Sequence, residues 1–286
     1  MNSVPIKTLE SYRLDTFCLS PTKRVKTRAQ AINFATRRGF IFFWPIKDIL
    51  LPSLWVAVAG DRPVADAHDD PGHITWGWKD GLLGKRRWYY AKVIRKKSTI
   101  ISLDTAPYFY ALSENYGSPE EDYLVQYLQG RMTQEAKAVY ETLLSEGPLD
   151  TITLRRAARL SSSENESRFN RALADLQADF KLLPVGTSQA GGWRYSFVYD
   201  LVHRHFPDLP EKARLITEAE ARQHLLQRYL LSVGAVARRD IPKIFRWSNK
   251  HIDHALDLLV DSGLIARHLQ IGDQNNEWIA LSKLIK

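Results

Sequence analysis

The chain has 286 residues, of which 44% are apolar and 25% charged, with a net charge of +8. This is the composition of a globular protein large enough for two or three domains. It has no run of about 18 apolar residues, and MNSVPIKTLESYRLD at the N-terminus lacks an apolar core, so neither a membrane span nor a secretory leader is expected. A single cysteine, Cys18, excludes an internal disulfide and suits a reducing cytoplasm. No Cys/His spacing resembles a zinc site, and the expectation is of no metal and no cofactor.

The charge is unevenly placed. Residues 1–118 hold 18 Lys/Arg against 10 Asp/Glu, whereas residues 119–286 hold 22 of each. The excess includes Lys23-Arg24-Val25-Lys26, Lys85-Arg86-Arg87 and Arg95-Lys96-Lys97. A positive field on one part of the chain attracts phosphate backbones and makes such binding salt-dependent; solvated surface charge is the plainer alternative.

The first predicted element is a helix from about Lys23 to Arg38, with Ala29, Ile32, Ala35 and Thr36 on one side. It runs into RGFIFFWPIKDILLPSLWVAVAG, where Pro45 and Pro52 forbid one continuous strand or helix. A strand there places Phe40, Phe42 and Trp44 on one side and Ile41 and Phe43 on the other. One face would pack on the preceding helix, the other on a cleft. After the loop GDRPVADAHDDPGH, the stretch TWGWKDGLLGKRRWYYAKVIRKK reads as an amphipathic helix interrupted near Gly84. STIISLDTAPYFYALSENYG gives a short strand and a helix starting near Pro107, capped by Asp104 or Thr105.

The C-terminal half repeats itself. Helices Thr133–Ser145 and Thr217–Ser232 open at threonines with acidic residues in the first turn. They close on Leu143-Leu144-Ser145-Glu146-Gly147 and Leu230-Leu231-Ser232-Val233-Gly234. A short basic segment follows each, TITLRRAARL or RRDIPKIFRW. Next comes a longer helix with apolar residues at helical spacing: Phe169, Leu173, Leu176 and Phe180, or Ile252, Leu256, Leu259 and Gly263. The first copy has extra residues in the turn around Ser161–Asn165. Each copy ends in a hairpin pattern, KLLPVGTSQAGGWRYSFVYD turning at Gly191-Gly192 and LIARHLQIGDQNNEWIAL turning at Gly272–Asn276. Three helices and a β-ribbon form a winged helix. The predicted fold is mostly α with small β wings: three tandem winged-helix (helix-turn-helix) domains over residues 1–118, 119–210 and 211–286, the first heavily decorated. The third helices of the two repeats mix Arg168, Asn170 and Arg171 with Asp175 and Asp179, and Asn249, Lys250, His251 and His254 with Asp253, Asp257 and Asp261. Each is near neutral, so groove reading and a scaffold or protein-contact role both stay open.

Residues Asp66–His73 set Asp69 and Asp70 between His68 and His73, able to supply a base or hold a divalent cation; Asp-Asp-Pro-Gly is also ordinary turn chemistry. Asp80, with Lys79, is flanked by Trp76, Trp78 and Trp88 and is a second candidate, with an exposed helical charge as the alternative. Asp48 is a third. Asp69, Asp70 and Asp80 are the catalytic candidates. Five of the eight tryptophans, Trp44, Trp55, Trp76, Trp78 and Trp88, precede residue 119. Aromatics beside basic clusters hold unstacked bases. The nucleic-acid-binding candidates are therefore Arg37, Arg38, Lys85, Arg86, Arg87, Arg95, Lys96, Lys97, Trp44, Trp76 and Trp78, with core packing the default for Phe40, Phe42 and Trp55.

RAQAINFATRRGFIFFWPI, RKKSTIISLDTAPYFYAL and the C-terminal repeats, in that order, make residues 23–285 resemble the AlkZ/YcaQ type of DNA glycosylase. That resemblance implies a bacterial repair enzyme of tandem winged helices that excises alkylated bases and unhooks interstrand crosslinks. Aligning Gly39, Pro45 and Ile46 with the family's glycine, proline and isoleucine places its catalytic polar pair, Gln and Gln or Gln and Asp, on Phe42 and Trp44. Phenylalanine cannot hydrogen-bond a water and tryptophan only donates, so the family's catalytic residues do not carry over. The implied partner is damaged double-stranded DNA, bound by a cytoplasmic, nucleoid-associated monomer that hydrolyses the glycosidic bond with other residues or not at all. The alternatives are a non-enzymatic winged-helix transcription factor or architectural DNA binder, and a protein–protein adaptor.

Overall fold

The computed structural model describes residues 3–115, 117–192, 194–269, 271 and 277–285. Three units repeat one order of elements: helix, strand, helix, helix, strand, strand. The first has helix Arg28–Arg38, β1 (Phe40–Phe42), helices Leu54–Ala59 and Ile74–Leu82, β2 (Tyr89–Ala91) and β3 (Thr99–Ile101). The second has helix Gln134–Glu146, β4 (Leu149–Asp150), helices Thr151–Ala157 and Glu166–Ala178, β5 (Leu182–Ser188) and β6 (Ser196–Leu201). The third has helix Glu218–Val233, β7 (Ala235–Ala237), helices Ile241–Phe245 and Asn249–Asp261, β8 (Ile265–Leu269) and β9 (Trp278–Leu281). The sheets run β1-β3-β2, β4-β6-β5 and β7-β9-β8, and the pairings within them are antiparallel. The fold is mostly helical with three small sheets, as three winged-helix units require.

The local causes are shared as well. Each leading helix opens on a threonine that accepts a backbone N–H: Thr27 from Gln30, Thr133 from Ala136, and Thr217 from Glu220 in a reciprocal capping box. Each closes on a glycine, Gly39, Gly147 or Gly234, at φ 83°, 84° or 78°, where the left-handed turn sends the chain into a strand.

Several expectations change. The first unit's leading helix begins at Arg28 rather than Lys23, because Thr27 caps it. The long helix expected after residue 74 stops at Leu82. Gly84 adopts φ 71°, and a Cβ there would sit 2.6 Å from the carbonyl oxygen of Val185; the aromatic run beyond it pairs with Ile101, Ile100 and Thr99 as β2. Helix Ile6–Thr16, not anticipated, docks on the third unit. Its Tyr12 hydroxyl donates to Leu231 O at 2.7 Å, and Arg13 donates to Val233 O and Ala235 O at 2.9 and 2.8 Å. Leu231 O and Val233 O lie at the carboxyl end of helix Glu218–Val233, where carbonyls lack helical partners. The turn expected at Gly272–Asn276 lies outside the described residues.

Both faces of β1 are buried. Ile41 and Phe43 pack with Phe34, Leu54, Trp78 and Ile100 in the first unit's own core. Phe40 and Phe42 join Tyr89, Ile101, Tyr229 and Leu230 in a core shared with the third unit, and the Phe40 ring meets that of Phe245 edge-on at 6.0 Å. The face expected to line a cleft is thus an internal seam. The strand ends at Phe42, the chain bends at Phe43–Trp44, and Trp44 packs with the Ile41–Phe43 side; Phe42 and Trp44 do not share a face. Among the described residues no helix is long and apolar enough to cross a membrane.

Candidate nucleic-acid interface

The first unit's third helix is positioned by the Asp-Pro-Gly turn before it. Asp70 accepts from Gly72 N at 2.7 Å and from Arg62 at 2.6 Å. The Arg62 hydrogen bond, then the Gly72 N–H, hold its carboxyl below the usual range. Gly72 lies against Trp55: a Cβ would meet the indole at 2.7 Å. His73 Nε2 lies 2.8 Å from Ala65 O, and its ring packs 5.1 Å from Trp55. Asp70 and His73 therefore build the turn; Asp69 and His68 are exposed beside it. Among the described residues, no group of three or more His, Cys, Asp or Glu side chains is placed to hold a metal ion.

From this turn, helix Ile74–Leu82 buries Thr75, Trp78, Lys79 and Leu82, the i, i+3, i+4, i+7 set of one face. Lys79 is a charged member of that set and is 2% exposed. Its ammonium donates to Tyr195 Oη at 2.9 Å and pairs with Asp80 Oδ1 at 2.8 Å. It lies 4.6 Å from the Phe197 ring centroid and 4.8 Å from that of Trp76, with Phe43, Tyr90 and Tyr195 between 5.5 and 5.8 Å. Aromatic faces attract a cation electrostatically, which offsets part of its desolvation. Burial still pushes the Lys79 ammonium below its usual value, opposed by the hydrogen bond it donates to Asp80. The Tyr195 hydroxyl donates to Asp80 Oδ1 at 2.9 Å. Burial first, then that bond, raise it above an ordinary phenol.

Both contacts to Asp80 fall on Oδ1, and among the described residues no hydrogen bond reaches Oδ2 of this one-quarter-exposed carboxylate. Beside it lies an aromatic wall. Trp76 packs 5.6 Å from Trp44 and 6.3 Å from Tyr195, and Trp76 and Tyr195 remain 37% and 38% exposed. The buried indole N–H of Trp44 has no hydrogen-bond partner among the described residues. Of the residues singled out in the sequence, Asp80, Trp44 and Trp76 come together here. Trp78 and Trp88 are core, and Phe42 is fully buried. Tyr195 and Phe197, from the second unit's wing, were missed. The signal for them was the alternation of Tyr195, Phe197 and Tyr199 with Ser196, Val198 and Asp200.

The basic candidates lie elsewhere. Arg37 is exposed, and the half-buried Arg38 donates to Leu231 O at 3.1 Å. Lys85, Arg86 and Arg87 are exposed in the loop before β2; Asp48 is exposed in a left-handed turn. Arg95, Lys96 and Lys97 belong to the wing between β2 and β3, which docks on the second unit: Lys96 pairs with Asp175, and Lys92 N donates to Gln177 Oε1 at 3.1 Å. Two of the three acids of the third unit's third helix are also engaged, Asp253 by Arg238 and Arg267 and Asp257 by Arg267, and Asp261 is exposed. Asn249, Lys250, His251 and His254 are left exposed.

The sequence model of a family described as AlkZ related matches residues 25–246. Among solved structures, Streptomyces sahachiroi DNA glycosylase AlkZ superposes with a TM-score of 0.62 at 12% identity, over 98% of this chain and 71% of that one. At that identity the likeness is one of fold. No curated protein matches.

Proposed function

Because the chain belongs to the AlkZ-related family, we propose that it binds double-stranded DNA at damaged or distorted positions, with the Trp44–Trp76–Tyr195 wall receiving an unstacked base. The observation that carries this is the exposed aromatic wall beside a carboxylate fixed by a caged lysine. Every base offers a π-face to such a wall, and enzymes acting on a base must extrude it from the duplex. Asp80 is the hydrolytic residue in this reading. With Oδ1 held by Lys79 and Tyr195, Oδ2 orients a water toward the anomeric carbon, and the carboxylate charge steadies the oxocarbenium-like sugar. The exposed basic residues Arg37, Lys85, Arg86, Arg87 and Lys97 supply sequence-independent attraction to the phosphates.

Duplexes carrying one N7-alkylguanine, titrated against the undamaged sequence, test the binding claim. The expected preference for the lesion is about tenfold, and Trp76→Ala removes most of it, since stacking one base contributes ~1–3 kcal/mol. Equal affinity for both duplexes, unchanged by Trp76→Ala, would sink it.

A second reading, a non-enzymatic DNA binder, draws on the buried position of Phe42, where the family resemblance places half of the catalytic pair. Sequence-specific footprints on undamaged DNA would favour it; uniform affinity across undamaged sequences counts against it.

A further inference from the structure

A cleft of about 410 Å³ opens where the three units meet. The first unit contributes the wing turn around Arg95, the second the end of helix Glu166–Ala178 with Phe180, and the third the segment Phe245–Trp247. Its walls are aromatic. The rings of Phe245 and Trp247 stack at 4.1 Å and 10°, and Phe109 lies parallel to Phe180 at 6.3 Å and 16°. Phe109, Phe245 and Trp247 are half-buried, so ring surface remains accessible.

Two features set this cleft apart from a packing gap. Arg95 and Arg246 line it, and among the described residues neither guanidinium makes an ion pair or hydrogen bond. Two acids also line the cleft: Glu114 pairs with Arg131, and Asp179 is influenced by the charge of Lys181. The backbone at Arg95, Lys96, Phe180 and Arg246 is also left-handed, at φ 57°, 55°, 55° and 57°. These are four of the ten non-glycine residues with positive φ among those described, and all four line this one cleft. Such conformations persist only where the surroundings impose them, and they gather at ligand sites.

We propose that this cleft binds a nucleotide, its base stacked on the Trp247–Phe245 platform and its phosphate held by Arg95 and Arg246. A planar aromatic surface matches a base, and unpaired guanidinium groups match a phosphate through their fork of donors. A free mononucleotide and an unpaired nucleotide within a strand share this chemistry. The site shares no residue with the Asp80 cluster and does not rest on the activity proposed for it.

The test is a set of titrations of the full chain with a nucleoside monophosphate, the matching nucleoside, inorganic phosphate and a short single-stranded oligonucleotide. The monophosphate is expected to bind saturably, and the nucleoside and phosphate each about tenfold more weakly or worse. Arg95→Asn, Arg246→Asn and Trp247→Leu should each weaken it by about tenfold. Asparagine tolerates the left-handed backbone, so the arginine variants keep the fold, as circular dichroism would verify. An oligonucleotide that binds more tightly than the monophosphate, and loses affinity in the same variants, identifies a strand as the source. Equal affinity for the two identifies the free nucleotide. The proposal is overturned if nothing binds saturably, if the three variants bind like wild type, or if Asp80→Asn abolishes the binding, which would put the nucleotide in the other site.

Discussion

Replacing Lys79 by methionine tests whether the caged ammonium holds the candidate site together. Methionine keeps the length and apolar stem but removes the charge. The Asp80 ion pair at 2.8 Å and the Tyr195 hydrogen bond at 2.9 Å disappear, together with the attraction of five rings. A hydrogen bond to a charged group contributes about 1.5–3 kcal/mol and the cation–π term about 1–2 kcal/mol where water is excluded. Against this, the ammonium no longer has to be desolvated, and the thioether recovers up to about 1 kcal/mol against the rings. Asp80 is one-quarter exposed, so it rehydrates rather than remaining stranded. The net loss expected for Lys79→Met is about 2 kcal/mol in urea unfolding followed by far-ultraviolet circular dichroism. Asp80→Asn should cost about 1 kcal/mol, and the double variant less than the sum, with a coupling of about 1 kcal/mol. Additive losses, or a Lys79→Met protein as stable as wild type, would refute the view that the pair acts as a unit.

Other expectations concern pH and packing. His224 stacks on Tyr108 at 3.6 Å, and burial, then Arg228, push it down to about 4 from an ordinary 6.5. Its folded-state value is depressed, so the stability it carries is complete above about pH 6.5 and is lost as pH falls toward 4. His224→Phe should flatten that acid limb in urea midpoints compared at about pH 7 and pH 5; parallel limbs for the two proteins contradict the assignment. Gly84→Ala should destabilise by about 2 kcal/mol, read from the same unfolding curves, since the left-handed backbone and the contact with Val185 O both oppose a Cβ. A variant within about 0.5 kcal/mol of wild type would mean the loop shifts freely.

The two C-terminal units were legible in the sequence because each level agrees there. Threonine caps, the LLSEG and LLSVG closures, helical spacing at Phe169 to Leu176 and at Ile252 to Leu259, and alternation in the hairpins all indicate one arrangement. The first unit was harder. Its strands have three residues each, too short to display alternation, and β1 is buried on both faces, which removes the polar half of the pattern. The site was legible only in part. Trp76 and Asp80 stood out by composition, but the residues completing the cage, Tyr195 and Phe197, lie more than a hundred positions away on another unit's wing. No local pattern reports such a contact. Likewise the basic wing around Arg95–Lys97 looked like a free DNA contact, because its docking against Asp175 depends on how the units pack.

Base release reports most directly on the hydrolytic role of Asp80. Wild-type protein in excess over duplex bearing a single N7-alkylguanine should free the modified base. Asp80→Asn should reduce the single-turnover rate by about a hundredfold or more, the size expected for a lost catalytic carboxylate, while lesion binding stays within about twofold. Base release at the wild-type rate by Asp80→Asn, or none from the wild type, would contradict that role.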